Sequence, residues 1–453
     1  GTFNYIWDIL HPGKESVMNV VVIISDTMRC DHLGCYGNDW IHTPHLARLA
    51  QKSVVCDRAY CASFPTMPMR ADLYTGKFTL TYLGWAPMPL DETILPQLMS
   101  DANYSTMAIV DTPFYVRRGY AYDRGFHDFR WIRGQGGGER PDTNYERRYE
   151  EDYCAPMTCG AAERWIERHY KEDFFLLVDT WDPHEPWDPP AHYVELYKPD
   201  WDGTVVRPVY WRWEEAGMTQ EQVDIARACY AGEVTMVDRA VGRLIDRIES
   251  MGLMDRTAII FTSDHGFLLG EHGIVGKTLT QERHFHGAPL YEEIARVPLL
   301  VYVPGVEPRR SDALISHPDL MPTVLEIAGV EIPDTVEGRS ILPVVKGEKD
   351  SHRDFAVSTM PLYNPGEWTR VVDDFDRRVE EFLPATITTD RWSLLYSREG
   401  APVELYDLDA DPRQQRNVAA DNMEVVGELH SCYVGFLREL GVEERLLAPR
   451  RKL

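Results

Sequence analysis

Three segments of the chain end in residues able to bind a cation. "VMNVVVIISD" (17–26) closes on Asp26, "DFFLLVDTWDPH" (173–184) on His184, and "RTAIIFTSDHG" (256–266) carries Asp264 and His265. Taken singly, an Asp after an apolar run is equally well read as a helix cap. Taken together, two carboxylates and an imidazole make a divalent-cation site with mixed oxygen and nitrogen ligands. That set lacks a fourth ligand, and Thr66 is the candidate. It lies in "SFPTMPMRADLYTG" (63–76), which also holds Pro68, Arg70 and a Thr-Gly pair, a grouping that looks like part of a site for an oxyanion ester.

The elements that must position these residues follow from the same segments. Each is a continuous apolar, partly β-branched run, as expected of a strand buried on both faces. Ligands of open α/β sheets bind beyond the carboxyl ends of the strands, so three such strands would deliver Asp26, His184, Asp264 and His265 to one rim. "TQEQVDIARACYAGEVTMVDRAVGRLIDRIESMG" (219–252) has apolar residues at three- and four-residue intervals and a terminal Gly, which predicts a helix. Alternation of strands and helices implies a mostly parallel sheet covered on both faces, to which "ARVPLLVYVPG" (295–305) adds a core strand.

From about residue 355 the texture changes. "ATITTDRWSLLYS" and "VELYDLDADPRQQRN" read as short strands with a turn, followed by a helix from about Met423 to Leu440. The expected organisation is an N-terminal extension (1–17), a catalytic α/β domain (18–355) and a small C-terminal α+β subdomain (356–453). "GQGGGERPDTN" (134–144) is the expected flexible loop.

Composition narrows the partners. The 453 residues include 72 acidic and 47 basic side chains, and the net charge of −25 disfavours a nucleic-acid partner. A small or locally docked substrate is expected. No stretch approaches the ~20 apolar residues of a membrane span, and the opening residues lack a basic region followed by an apolar run. The expectation is a cytoplasmic protein without a membrane partner, with room left for a homo-oligomer. Three of the cysteine pairs share a C-x4-C spacing unlike that of zinc sites, so all eight cysteines read as ordinary thiols.

"DTMRCDHLGCYGN", "TMPMRADLYTG", "DPHEPW", "TSDHGFLLGEHG", "ARVPLLVYVPG", "PDLMPTVLEIAG", "GRSILP" and "ELYDLDADP" occur in that order. In this the chain resembles the sulfatase family of the alkaline phosphatase superfamily over nearly its whole length. The resemblance implies an alkaline-phosphatase-like α/β/α sandwich with a smaller C-terminal antiparallel sheet, and hydrolysis of sulfate or phosphate esters at a metal-bound nucleophile. It makes Asp26, Asp264 and His265, with Thr66, ligands of one divalent ion (Mn, Ca, Mg or Zn not distinguished). It places Thr66 on the nucleophile of the C/S-x-P-x-R signature and Arg70 beside it. Lys277 then contacts a non-bridging ester oxygen, and His184 protonates or holds the leaving-group oxygen.

Three departures stand out. Sulfatases carry at position 66 a cysteine that becomes formylglycine. Thr66 is not that residue and Cys61 lacks the surrounding signature, so no formylglycine is expected. Thr27 replaces the second Asp of the family's metal pair. In "YSTMAIVDTPFY" (104–115), Asp111 and Pro113 replace the Lys and His of the family's "GKWH" element. A threonine has one hydroxyl, so a covalent intermediate on it has to be cleaved by water at the central atom, which favours phosphorus over sulfur. Asp111, if it faces the pocket, would disfavour dianionic monoesters.

The expected activity is therefore that of a metal-dependent phosphodiesterase or phosphonate monoester hydrolase acting on a small ester. Sulfate-ester hydrolysis is the alternative, or a silent family member that binds an anionic ligand. Trp85, Trp181 and Trp187, with the tryptophans of "VYWRWEE", are either packing or an aromatic wall for an aryl or quaternary ammonium leaving group. His284 and His286 are weighed as ligands of a second metal, with one metal as the default.

Overall fold

Strands without a polar face have to be covered on both sides, and the chain meets that need with one large sheet between two helical layers. The computed structural model describes residues 17–115, 119–133, 147, 149–281, 284–372, 375–379, 382–397 and 402–453. The expected loop at 134–144 and residues 1–16 of the expected N-terminal extension lie outside these.

The sheet has eight strands: β1 (Asn19–Ser25), β2 (Val54–Tyr60), β3 (Ser105–Val110), β4 (Asp128–Trp131), β5 (Phe174–Thr180), β6 (Thr257–Thr262), β7 (Arg296–Tyr302) and β8 (Arg309–Ser316). Their spatial order is β8-β2-β7-β6-β1-β5-β3-β4. All pairings are parallel except those of β7, which runs antiparallel to both neighbours. Register fixes the functional rim: Ser25 pairs with Thr180 and Ile24 with Thr262, so Asp26, the 181–184 turn and Asp264 all leave from one edge.

Alternation along β1 shows why its sequence has no polar face. Val21 and Ile23 pack with helices α2 (Cys154–His169) and α3 (Gln220–Ser250), whereas Val20, Val22 and Ile24 pack with α1 (Thr66–Thr75) and α4 (Leu320–Ala328). Helix α3 starts at a capping box in which the Thr219 hydroxyl accepts from the Gln222 amide and the Gln222 side chain accepts from the Thr219 amide. Each fully buried aliphatic side chain contributes roughly 1.5–3 kcal/mol of transfer free energy, so the two faces dominate stability.

A second, antiparallel sheet consists of β9 (Ala356–Thr359), β10 (Ala385–Thr388), β11 (Trp392–Tyr396) and β12 (Glu404–Asp407) in sequential order. Val357, Ile387, Leu394 and Leu405 of these strands pack against Val426, Leu429, Tyr433 and Leu437 of α5 (Met423–Glu439). Its first strand grips the segment leading into Thr66: the Phe64 amide donates to the Thr359 carbonyl and the Thr359 amide to the Ala62 carbonyl, both at 2.9 Å. Among the described residues no helix is long and apolar enough to cross a membrane. All eight cysteines are free thiols, six of them buried.

Candidate metal centre and hydrolytic site

Strands β1 and β6 bring Asp26, Asp264 and His265 together, each offering one ligand atom within 4.8 Å of the others. All three side chains are buried. The His265 Nδ1–H donates to the Gly266 carbonyl at 2.9 Å, which leaves the Nε2 lone pair inward. Among the described residues, that Nε2 and both Asp26 oxygens have no hydrogen-bond partner. Orphaned buried acceptors cost about 1–3 kcal/mol each, so a donor set of two carboxylates and an imidazole turned inward fits a divalent cation.

The electrostatics agree. Burial, reinforced by the Asp264 carboxylate, pushes the Asp26 carboxyl well above its ordinary range, against the pull of Arg70 and Lys277. Burial brings His265 down to about 3, so its imidazole is neutral and its lone pair free. Two loops are clamped together here. The Thr27 and His265 amides both donate to Asp264 Oδ1, at 2.9 and 2.8 Å. The Ser263 hydroxyl accepts from the Met28 amide and donates to the His265 carbonyl, each at 2.9 Å.

Thr66 is the first residue of α1, and Arg70 lies one helical turn further on the same face. Arg70 Nη1 donates to the Thr66 carbonyl at 3.0 Å and to Asp264 Oδ2 at 2.6 Å, while Nη2 stands 3.1 Å from Asp26 Oδ2. One guanidinium thus joins the helix start to both carboxylates. Its other edge meets Asp179, which also accepts from Thr112 Oγ1 at 2.8 Å and from the Tyr115 hydroxyl. Sequence reasoning missed Asp179, although an acid inside the apolar run "FFLLVDT" signals a buried charge that needs a partner. Asp72 holds the approach to Thr66 by accepting from the amide and hydroxyl of Ser63 and of Thr79, at 2.6–2.9 Å.

His184 and Lys277 meet as a pair, Lys277 Nζ to His184 Nε2, at 2.7 Å. The His184 Nδ1–H donates to the Glu185 carbonyl at 2.8 Å, so Nε2 is the acceptor of the ammonium proton. Burial, with Lys277 second, holds His184 well below its ordinary value.

Other sequence expectations come out differently. Asp111 does not offer a free charge to a substrate: Oδ2 accepts from Thr158 Oγ1 at 2.6 Å and Oδ1 from the Trp181 amide at 2.5 Å. Its repulsion of dianions and its service to a quaternary ammonium both lose their basis. Trp187 is core, edge-on to Tyr230 and Phe267. Trp181 stacks on His184 at a centroid distance of 3.8 Å, Phe114 stands 5.5 Å from Trp181, and Trp85 stands 5.0 Å from Phe114. His286 is exposed against Trp211, and the His284 side chain lies outside the described residues. Among the described residues no second group of metal-binding side chains includes His286.

Residues 18–330 match the family model described as Sulfatase, and residues 280–433 match one described as N-sulphoglucosamine sulphohydrolase, C-terminal. The chain is 26% identical to an ulvan-active sulfatase of Formosa agariphila, over 88% of this chain and 76% of that protein. It is 25% identical to an arylsulfatase of Clostridium perfringens, over 94% of each. In fold it is similar to a phosphonate monoester hydrolase from Silicibacter pomeroyi, with a TM-score of 0.75 and 24% identity, covering 95% of this chain and 96% of that one.

Proposed function

The chain belongs to the sulfatase family of ester hydrolases, and on that premise we propose that it cleaves phosphodiesters or phosphonate monoesters by displacement at Thr66. The observation that carries the reading is Arg70, whose Nη1 joins the carbonyl of a threonine at the nucleophile position to the metal-binding carboxylate Asp264. A divalent ion held by Asp26, Asp264 and His265 would lower the pKa of the Thr66 hydroxyl and neutralise charge developing on the ester.

The chain's own residues account for the rest. Thr66, ionised beforehand with its proton lost to solvent, forms an O–P bond as the bond to the leaving oxygen breaks, and it departs again as the alkoxide when the intermediate is hydrolysed. Arg70 fixes the carboxylates and the helix start, so the attacking group is held rather than searched for. Lys277 and His184 share the proton that the leaving oxygen takes up. Water then attacks phosphorus, the Thr66 oxygen departs, and the proton released from that water restores the Lys277–His184 pair. A single hydroxyl permits no route in which the intermediate expels the group from its own carbon, so hydrolysis at the central atom is required.

Sulfate esters are the second reading, favoured by the names of the relatives in Formosa agariphila and Clostridium perfringens. A panel of 4-nitrophenyl esters on the metal-loaded protein separates the two. Turnover of the methyl phosphodiester or phenylphosphonate above that of the sulfate, with a phosphorus adduct trapped on Thr66 and loss of both in Thr66→Ala, is expected. Faster sulfate turnover, or undiminished turnover in Thr66→Ala, overturns it.

A further inference from the structure

The Lys277–His184 contact raises a charge problem. His184 accepts a hydrogen bond from an ammonium at 2.7 Å in a buried site, and a second positive charge on the imidazole would meet Lys277 directly. On the opposite edge of the ring, Glu185 Oε2 lies 3.2 Å from His184 Nδ1. That oxygen is buried and has no hydrogen-bond partner among the described residues, because the Nδ1–H points at the Glu185 carbonyl. The other carboxylate oxygen accepts from the Tyr210 hydroxyl.

Tyr210 is itself placed with care. It sits at φ 53°, a region that costs an aromatic residue on the order of 1–2 kcal/mol. Its amide donates to the Val275 carbonyl at 2.9 Å and its carbonyl accepts from the Thr280 amide at 2.8 Å, so it is bonded to both sides of the segment that carries Lys277. A Cβ at Gly276 would come within 2.8 Å of the Tyr210 Cα, so the residue before Lys277 has to lack one. Tyr210, Glu185, His184 and Lys277 therefore form one row on a common frame.

We propose that Glu185, pinned by Tyr210, is a positioning residue whose carboxylate balances the positive charge that His184 and Lys277 share while a proton passes to the leaving oxygen. This rests on the reading of the Lys277–His184 pair as the proton source. Around His184 stand the Lys277 ammonium on Nε2, the Glu185 carbonyl accepting from Nδ1–H with the Glu185 carboxylate 3.2 Å from the same nitrogen, and the neutral His265 and the Asp264 carboxylate across the site. Trp181 covers one ring face. Removing the carboxylate takes away the negative charge on the Nδ1 side of the ring, opposite Lys277. The tautomer survives, because the Glu185 carbonyl holds it. The proton transfer suffers, most of all for leaving groups that cannot depart as anions.

The test compares phenyl and 4-nitrophenyl esters of methylphosphonate on the metal-loaded protein. In Glu185→Gln, kcat/KM for the phenyl ester should fall about 10- to 100-fold and that for the 4-nitrophenyl ester less than about threefold, a part of the roughly 10²- to 10⁴-fold that general acids supply. His184→Ala should show the same asymmetry more strongly, and Tyr210→Phe a weaker version of it. In a titration followed by histidine side-chain NMR without substrate, His184 should take up its proton at lower pH in Glu185→Gln and at higher pH in Lys277→Met. If His184→Ala shows the asymmetry and Glu185→Gln, folded, does not, the role of Glu185 is refuted while the proton source stands. If His184→Ala shows none, the reading beneath it fails. If Glu185→Gln does not fold, Tyr210→Phe decides: a leaving-group dependence and a His184 titration equal to those of the native protein overturn the proposal.

Discussion

Arg70 and Asp179 meet edge to edge, Nε to Oδ2 and Nη2 to Oδ1, both at 2.8 Å and both out of contact with solvent. A fork matched to a carboxylate in this way has a fixed orientation, and the orientation aims Nη1 at Thr66 and Asp264. Asp179 thus sets the aim of a residue that touches both carboxylates of the candidate metal site. Asp179→Asn leaves a buried guanidinium without its main counter-charge, and such breaks cost about 3–5 kcal/mol. Urea denaturation should show a lower midpoint at unchanged slope, and calorimetric titration with Mn should show weaker binding as Arg70 turns toward Asp26 and Asp264. Native stability and metal affinity in Asp179→Asn would contradict this role.

Thr27 sits at φ 54°, where a β-branched residue is strained, and its hydroxyl is buried with no hydrogen-bond partner among the described residues. Its neighbour Asp26 meets Arg70 Nη2 at 3.1 Å through Oδ2, and neither of its oxygens has a hydrogen-bond partner among the described residues. An Asp at this position adds an anionic oxygen ligand and tolerates the backbone conformation better. Thr27→Asp should tighten divalent-ion binding by about tenfold, the scale on which a change at a metal site moves affinity. Calorimetric titration of the metal-free protein checks it, and equal or weaker affinity would show that this side chain faces elsewhere.

His317 predicts an acid limit to stability. Its Nε2–H donates to the Ser263 carbonyl at 2.9 Å, its Nδ1 is buried without a partner among the described residues, and burial brings it down to about 4. The unfolded chain holds His near its ordinary 6.5, so between pH 6.5 and 4 the native state binds fewer protons than the unfolded one. The contribution is fully present above pH 6.5 and is lost as the pH falls through that window. Its size is about 3 kcal/mol. His317→Gln keeps a donor for Ser263 and removes the titration, so its stability should fall less than the native protein's between pH 7 and 4.5 in urea denaturation. Parallel losses would assign the acid limit to other groups.

Which parts of this were legible in the sequence follows from the kind of signal each residue leaves. Asp26, Asp264 and His265 end apolar runs, so strand periodicity alone predicts their shared rim, and the register of β1 with β6 brings them within ligand distance. Helix α3 was readable because 31 residues of one periodicity outweigh any local ambiguity. Asp179 lies inside a strand, where its partner is a residue 109 positions away. Asp111 was misread for the same reason: its type suggested a charge facing a ligand, but its environment is set by Thr158 and the Trp181 amide. Long-range partners leave no mark on local spacing, and they decide whether a buried acid acts on a substrate or on the scaffold.

The row Trp85–Phe114–Trp181 leads to the ring of His184, and its centroids are separated by 5.0 and 5.5 Å before the final stack at 3.8 Å. Trp85 and Trp181 are buried, whereas Phe114 is partly exposed. An aryl leaving group near His184 would pack against it, and an aromatic pair adds about 0.5–1.5 kcal/mol beyond the area buried. Phe114→Ala should therefore lower kcat/KM for a phenyl phosphonate relative to its methyl counterpart by about 2- to 12-fold, with the methyl ester nearly unchanged. Because both Asp111 oxygens are engaged, a choline ester should gain nothing over a neutral ester of the same size. An equal loss on phenyl and methyl esters would make the row a packing feature of His184, and a strong choline preference would mean that another carboxylate faces the leaving group.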